Sequence, residues 1–508
     1  MRSKNAIFNI ISNLVLQVVV VIYGFIVPKI IIVSFGSDVN GLISSITQFL
    51  AYISLLESGF GPVVKAALYK PIAKKDKKEI SSIINTAERF FKKIALIFVL
   101  YMISLCFVYP LLVNISFGKL YTISLIIIIS ISTFAEYFFG MAYRLYLQAN
   151  QKAYVISIIQ IVTYILSVIF VVILAKLNCS IQVIKLISGL IFVLRPIMQN
   201  LYVRKKYNLN LKENNEKYDL KQKWDGLAQH IAAVIHGNTD ITILTIFCSL
   251  SEVSVYSVYY LVVKGVKSII QAFASGMDSI FGNMLAKGEH KNLNKKFKVY
   301  ELLYFSIVTI AFSSTMVLIV PFIEVYTKGI TDANYIRHLF GYLIVISEYI
   351  WAIRLPYSTI TLAAGHFKQT RIGAWIEAFV NIVISIILVN KFGIVGVAIG
   401  TIIAMSIRTI EFIYHTNKYI LNRNSITNIK IISLIAIETF LITIISNAII
   451  ITNITTYISW LVNALIVLTI ATIITIVLNI IFYRNEVKET IKIIKNLFHR
   501  KEERHEQN

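Results

Sequence analysis

Charge is scarce in this chain. Only 15% of its 508 residues are Asp, Glu, Lys or Arg, and no polar stretch is long enough to build a sizeable water-soluble domain. Cysteine is rarer still: Cys106, Cys179 and Cys248 are scattered without paired spacing, which argues against a disulfide framework or a thiolate metal site. There is no Walker loop, no Gly-x-Ser-x-Gly elbow and no His/Cys cluster at metal-ligand spacing. No enzymatic constellation and no cofactor are therefore expected, and any energy must come from an ion gradient, the membrane potential or a substrate's own downhill flow. Acidic residues number 26 against 49 basic ones, a formal charge of +23. On a soluble chain that excess would suggest nucleic acid. Here its placement points to membrane topology.

Apolar side chains, by contrast, make up 57% of the sequence. They fall into fourteen stretches: 8–33, 41–64, 94–113, 120–142, 153–175, 181–202, 226–248, 252–283, 300–322, 335–362, 372–390, 394–417, 430–450 and 456–482. A bilayer core takes about 20 apolar residues per helix, and only helices or closed barrels satisfy the backbone inside it. The expected fold class is thus all-α, a polytopic membrane protein of about 14 transmembrane helices. The first stretch is too long for a signal-peptide core and lacks a small-residue cleavage site, so it is expected to remain as a helix.

With the N-terminus inside, alternation of the stretches puts 37 Lys/Arg in the inner segments and six in the outer loops and their helix ends. This positive-inside bias predicts that both termini are cytoplasmic, and it supports the helix number, because one missed helix would scramble it. The outer loops are too short for a catalytic or receptor domain. The inner loop 65–93 is basic and amphipathic, with Ile80, Ile83, Ile84, Ala87, Phe90 and Phe91 set against Lys77, Lys78, Glu88 and Lys92, as expected of an anchor on anionic membrane lipids.

Leu147 and Leu362, Ala149 and Ala364, Lys176 and Lys391, and Gly61 and Gly276 all match at one offset of 215 residues. Each match falls at an equivalent place in the topology. The repeat relates stretches 1–6 to 7–12, giving expected lobes 1–225 and 226–429, an appended helix pair 430–483 and a basic cytoplasmic tail 484–508. Parallel repeats of this kind are a transporter architecture, with the substrate near the midplane between them.

Ionisable residues inside spans are costly and mark pathways or internal pairs. In the eighth stretch Ser257, Tyr260, Lys264, Lys267, Gln271, Ser275 and Asp278 share an arc of roughly 80°. This stripe reads as the cationic wall of a cavity, or as a salt-bridge network between helices. In the tenth, Ser347, Trp351, Arg354, Ser358 and Thr361 share a face, and Arg354 offers a planar fork suited to phosphate or carboxylate. In the seventh, His236 and Asp240 stand at i,i+4, positioned to hold a proton or cation, or to pair with Lys264 or Lys267. Glu57 sits in the Gly-rich segment ESGFGP at 57–62, where a bend or close packing is expected. Arg195 and Arg408 are expected to snorkel at helix ends. Glu136, Glu348, Glu377 and Glu438 have no evident partner in the sequence.

The segments FGSDVNGL at 35–42 and LESGFGPVVKAALYKPIAKKD at 56–76 resemble the opening of bacterial polysaccharide flippases. These form the polysaccharide transporter branch of the multidrug/oligosaccharidyl-lipid/polysaccharide (MOP) exporter superfamily. Asp240, Tyr256 and Lys264, within 238–266, fit that family's pattern, and GIVGVAIGT at 393–401 resembles its Gly-rich start of helix 12. The resemblance covers essentially the whole chain. It implies a MATE-like, V-shaped pair of lobes in a bacterial cytoplasmic membrane, flipping an undecaprenyl-diphosphate-linked oligosaccharide; H+ or Na+ is a candidate coupling ion, with the membrane potential as the alternative. It makes Lys264, Lys267, Arg354, Gln271 and Lys29 the candidate substrate-binding residues; Lys29 stands where the family usually has Arg. Asp240, His236 and Glu57 become candidates for ion coupling or gating. A lipid II flippase and a MATE-type cation-coupled multidrug exporter are the alternatives, while a membrane glycosyltransferase is opposed by the short outer loops.

Overall fold

The computed structural model describes residues 2–57, 59–113, 117–207, 227–274, 277–424, 426–449 and 454–492, and among them every regular element is a helix. Contacts divide the chain into two compact units, Met1–Ser257 with Ile330–Ala333, and Val258–Gly329 with Asn334–Asn508. The first contains α1 (Arg2–Phe35), α2 (Ser37–Ala51), α3 (Ser54–Glu57), α4 (Phe60–Lys74), α5 (Lys77–Leu112), α6 (Lys119–Ala135), α7 (Met141–Ala149), α8 (Ala153–Lys176), α9 (Ile181–Tyr207), α10 (Leu227–Phe247) and the start of α11 (Leu250–Ala274). The second contains the rest of α11, then α12 (Met277–Ala286), α13 (His290–Tyr326), α14 (His338–Ala363), α15 (Phe367–Phe392), α16 (Ile394–Thr416), α17 (Ile426–Ile449) and α18 (Tyr457–Phe482). The lobes expected from the repeat divide the sequence at 225/226; the contact-based units place α10 with the first unit, where it packs on α2.

Among the described residues, 13 helical segments are long and apolar enough to cross a bilayer. With α10, a 21-residue helix at the seventh predicted stretch, they reproduce the sequence-derived order. The chain is a multi-pass, all-α membrane protein. Its outer surface carries the apolar side chains that lipid would cover, such as Ile10, Leu14, Val18 and Ile22 along α1.

In the first unit the backbone departs from straight helices where the sequence permits it. Gly36, at φ 89°, separates α1 from α2, and the buried start of α2 receives a carboxylate: Ser37 N donates to Asp332 Oδ2 at 2.6 Å and Ser37 Oγ to Oδ1 at 2.8 Å. A negative charge there interacts favourably with the positive end of the helix dipole. Beyond Tyr52 the second span breaks into the short α3, and Gly59, at φ 83°, turns the chain into α4. A π-helical turn, Glu136–Gly140, interrupts the α6–α7 rod. Its extra residue rotates Arg144 onto the face of Glu136, eight residues earlier, and the two form an ion pair.

The loop expected at 65–93 is helical. Asp76 caps α5 by accepting from Glu79 N at 3.0 Å. Ile80, Ile83, Ile84, Ala87 and Phe91 are buried, and α5 packs on α4 and α7, so this apolar face is covered by protein rather than by lipid. Lys74, Lys75, Lys77 and Lys78 remain exposed.

In the second unit, α15 and α16 pack at close range. A Cβ at Gly396 would overlap the Leu388 carbonyl, and one at Gly400 would overlap Ser385. The Gly-x-x-x-Gly spacing lets the two backbones approach, as is common between membrane helices. Asn178 and Gly393, both at positive φ (53° and 54°), follow the ends of α8 and α15 at the offset of the sequence repeat.

Candidate functional site

One group of charged residues in the second unit assembles across α11, α14, α15 and α16. On α11, Lys267 Nζ lies 2.7 Å from Glu348 Oε2 of α14 and 4.2 Å from the centroid of the Trp351 ring. Glu348 is only 5% exposed. One turn earlier Lys264 is exposed, and among the described residues no carboxylate pairs with it. Gln271, in the last turn of α11, is also exposed; Ser275 and the Asp278 side chain lie outside the described residues.

Farther along α14, Arg354 Nη1 meets Glu377 Oε1 of α15 at 2.6 Å. The other oxygen of Glu377 faces Arg408 Nε of α16 at 3.6 Å. Arg408 also pairs with Glu411 and donates to the Thr370 carbonyl at 2.7 Å. At 2% exposure it is the centre of a buried ladder, which corrects the expectation of a snorkelling side chain. Arg195 is held as well: its Nε donates to Thr163 Oγ1 at 2.7 Å and its guanidinium stacks 4.1 Å from Tyr164 and 4.0 Å from Phe192.

The structure thus brings Lys267 and Arg354 against carboxylates, while Lys264 is exposed and meets no carboxylate among the described residues. Glu348 and Glu377, unassigned in the sequence, are the partners. Glu411, Thr370 and the His366–His415 pair, whose ring nitrogens lie 2.9 Å apart, escaped sequence reasoning. Alternation of charge sign among the tenth to twelfth spans was the one available signal.

In the first unit, polar side chains line the α2–α10 seam. Tyr52 meets Thr242 at 3.0 Å, Thr245 donates to Ser45 at 2.8 Å, and Tyr109 donates to the same Ser45 hydroxyl at 2.8 Å. Asp240 is buried and accepts from Tyr256 at 2.8 Å, joining two residues that the sequence pattern had singled out. The His236 side chain lies outside the described residues. Glu57 ends α3 beside Tyr137 and the Glu136–Arg144 pair, and Lys29 is half-buried after Pro28 in α1.

The arrangement presents cations on α11 and α14, most of them balanced by carboxylates, in a fold of two helical units. That fold is known. The structure of the lipid II flippase MurJ in an inward closed conformation superposes with a TM-score of 0.68 at 17% identity, covering 95% of this chain and 100% of that one. An inward-facing multidrug resistance MATE family transporter of the MOP superfamily gives 0.63 at 13% identity over 80% of this chain and 97% of that one. A Vibrio cholerae MATE transporter gives 0.57 at 15% identity over 83% and 98%. The chain therefore has the fold of MOP-superfamily transporters. No family model matches the sequence, and no curated protein does.

Proposed function

We propose that this protein is a flippase that carries an undecaprenyl-diphosphate-linked oligosaccharide across a bacterial cytoplasmic membrane by alternating access of its N- and C-terminal lobes. The observation that carries the reading is the cationic face of α11, with Lys264 open and Lys267 one turn away, in a chain matched nearly end to end by a lipid-linked-substrate flippase. A diphosphate head cannot cross hydrocarbon unaided, and a lysine ammonium offsets its charge and lost hydration. Lys267 and Arg354 are held in reserve by Glu348 and Glu377 and join the site when a phosphate oxygen replaces the carboxylate. Gln271 and Lys29 add hydrogen bonds to the head group, and α17 and α18 flank the lipid tail. Asp240, with His236 four residues before it in sequence and Glu57 in the broken second span, supplies the coupling-ion or gating function for H+ or Na+.

The match to the lipid II flippase keeps a peptidoglycan precursor as the second reading, since the two substrates differ only in the sugar head. A cation exporter is less well supported. The MATE structures leave about a fifth of the chain unmatched, and the buried Glu348 and Glu377 are already neutralised by basic partners.

Reconstituted protein should be assayed with labelled undecaprenyl-diphosphate oligosaccharide, lipid II and an organic cation in parallel. Movement of the first, reduced in Lys264→Ala, supports the proposal. Movement of lipid II alone selects the second reading, and movement of the cation alone replaces both.

A further inference from the structure

Among the described residues, the second unit buries four glutamates in its helical core, and three have a basic partner: Glu301 with Arg423, Glu348 with Lys267, and Glu377 with Arg354 and Arg408. Glu438 is the fourth. It sits at the middle of α17, is 2% exposed, and its Oε1 has no hydrogen-bond partner. Its neighbours along the buried face of α17 are Leu434, Ile435 and Ile442.

Among the described residues, the helices packed on α17 bring no cation to it. Tyr457 is the only ionisable side chain of α18. Between Leu302 and Ile323, α13 offers only Tyr304, while Glu301 below is taken by Arg423. From α14, Tyr349 lies within electrostatic range of the Glu438 carboxyl, and so does Tyr483 just after α18. The Tyr349 hydroxyl is tied to Thr309 at 3.0 Å and to Thr439 at 3.1 Å. On α17 itself Lys430 is exposed, two turns away.

An ionised carboxylate without a counter-charge is among the most costly groups to hold inside a membrane helix bundle, and binding a proton removes that cost. We propose that Glu438 is a proton-binding site, a carboxylic acid that is neutral in this conformation and exchanges its proton with water during the working cycle. The site lies on the appended helix pair, outside the repeated lobes. Its use in a cycle rests on the transporter reading, whereas its protonation does not.

The test is infrared difference spectroscopy of the full chain in proteoliposomes, without substrate, comparing wild type with Glu438→Gln across neutral and alkaline pH. The expected result is a protonated-carboxyl carbonyl band at neutral pH in the wild type, lost as pH rises and absent from Glu438→Gln. A neutral-pH difference showing loss of a carboxylate band instead would overturn the proposal. So would an acid band that persists unchanged at high pH, which would mark a permanently neutral structural acid. Should Glu438→Gln not fold, Glu438→Asp serves in its place: a band that moves with this change belongs to residue 438, and one that does not move sinks the assignment. Because no substrate is present, failure here leaves the flippase reading standing.

Discussion

The guanidinium of Arg423 closes on the Glu301 carboxylate with two hydrogen bonds, Nη1 to Oε2 at 2.8 Å and Nη2 to Oε1 at 2.6 Å. Tyr357 donates to the same carboxylate, and Asn428 of α17 donates to Tyr357 Oη at 2.7 Å. The cluster ties the start of α17 to α13 and α14. Removing one partner strands a buried charge, at a cost of about 3–5 kcal/mol. Arg423→Ala should therefore lower the melting temperature in detergent markedly, and Arg423→Ala/Glu301→Gln should recover part of the loss. Burial alone would lower the Arg423 guanidinium, but Glu301 holds it charged and above its ordinary range. A raised folded value keeps the contribution in full until pH exceeds the unfolded value. Melting curves from neutral to mildly alkaline pH should show no loss that depends on Arg423.

Lys264 and Lys267 should separate function from stability. Lys264 is exposed and has no carboxylate partner among the described residues, so Lys264→Ala should leave melting unchanged and slow flipping several-fold. Lys267→Ala leaves Glu348 buried and unpaired, and should lower stability by about 3–5 kcal/mol. Parallel melting and transport assays read both, and equal melting losses in the two variants would contradict this division.

Arg354 is both a ladder member and a candidate phosphate ligand. Arg354→Ala should destabilise the second unit, although Glu377 keeps Arg408 as a partner, and adding Glu377→Gln should restore part of that loss by removing the half-paired carboxylate. If Arg354 also holds the substrate, the double variant regains stability but not flipping. Full recovery of flipping would make the ladder purely structural.

The close approach of α15 and α16 depends on Gly396 and Gly400. Gly400→Leu forces a side chain into Ser385, and overpacking of this kind costs about 1–3 kcal/mol or more. The expected outcome is a lower melting temperature and reduced yield of folded protein. A substitution at the exposed Ile403, on the same helix, should do neither.

The sequence by itself determined the membrane class, the all-α architecture, the order of the spans and the residues able to carry charge inside them. These follow from length, apolar content and helical period, which are local properties. The Gly-rich start of α16 was noticed through its resemblance to a family pattern, and the close packing that Gly396 and Gly400 allow came only with the structure. The region 65–93 misled because basic residues signal an aqueous face but do not exclude helix, and only the packing of α5 on α4 and α7 buried its apolar side. Tertiary structure alone decided who partners whom. Glu348 and Glu377 were isolated in sequence because their cations lie on other helices, and Arg408 resembled a snorkelling end residue until α15 supplied Glu377 and the Thr370 carbonyl. Glu136 found Arg144 only through a π-helical turn that no 100° periodicity contains. In hydrocarbon, the energy of a charge is set by what stands within a few ångströms across a helix interface, and that is information the order of residues along one helix does not hold.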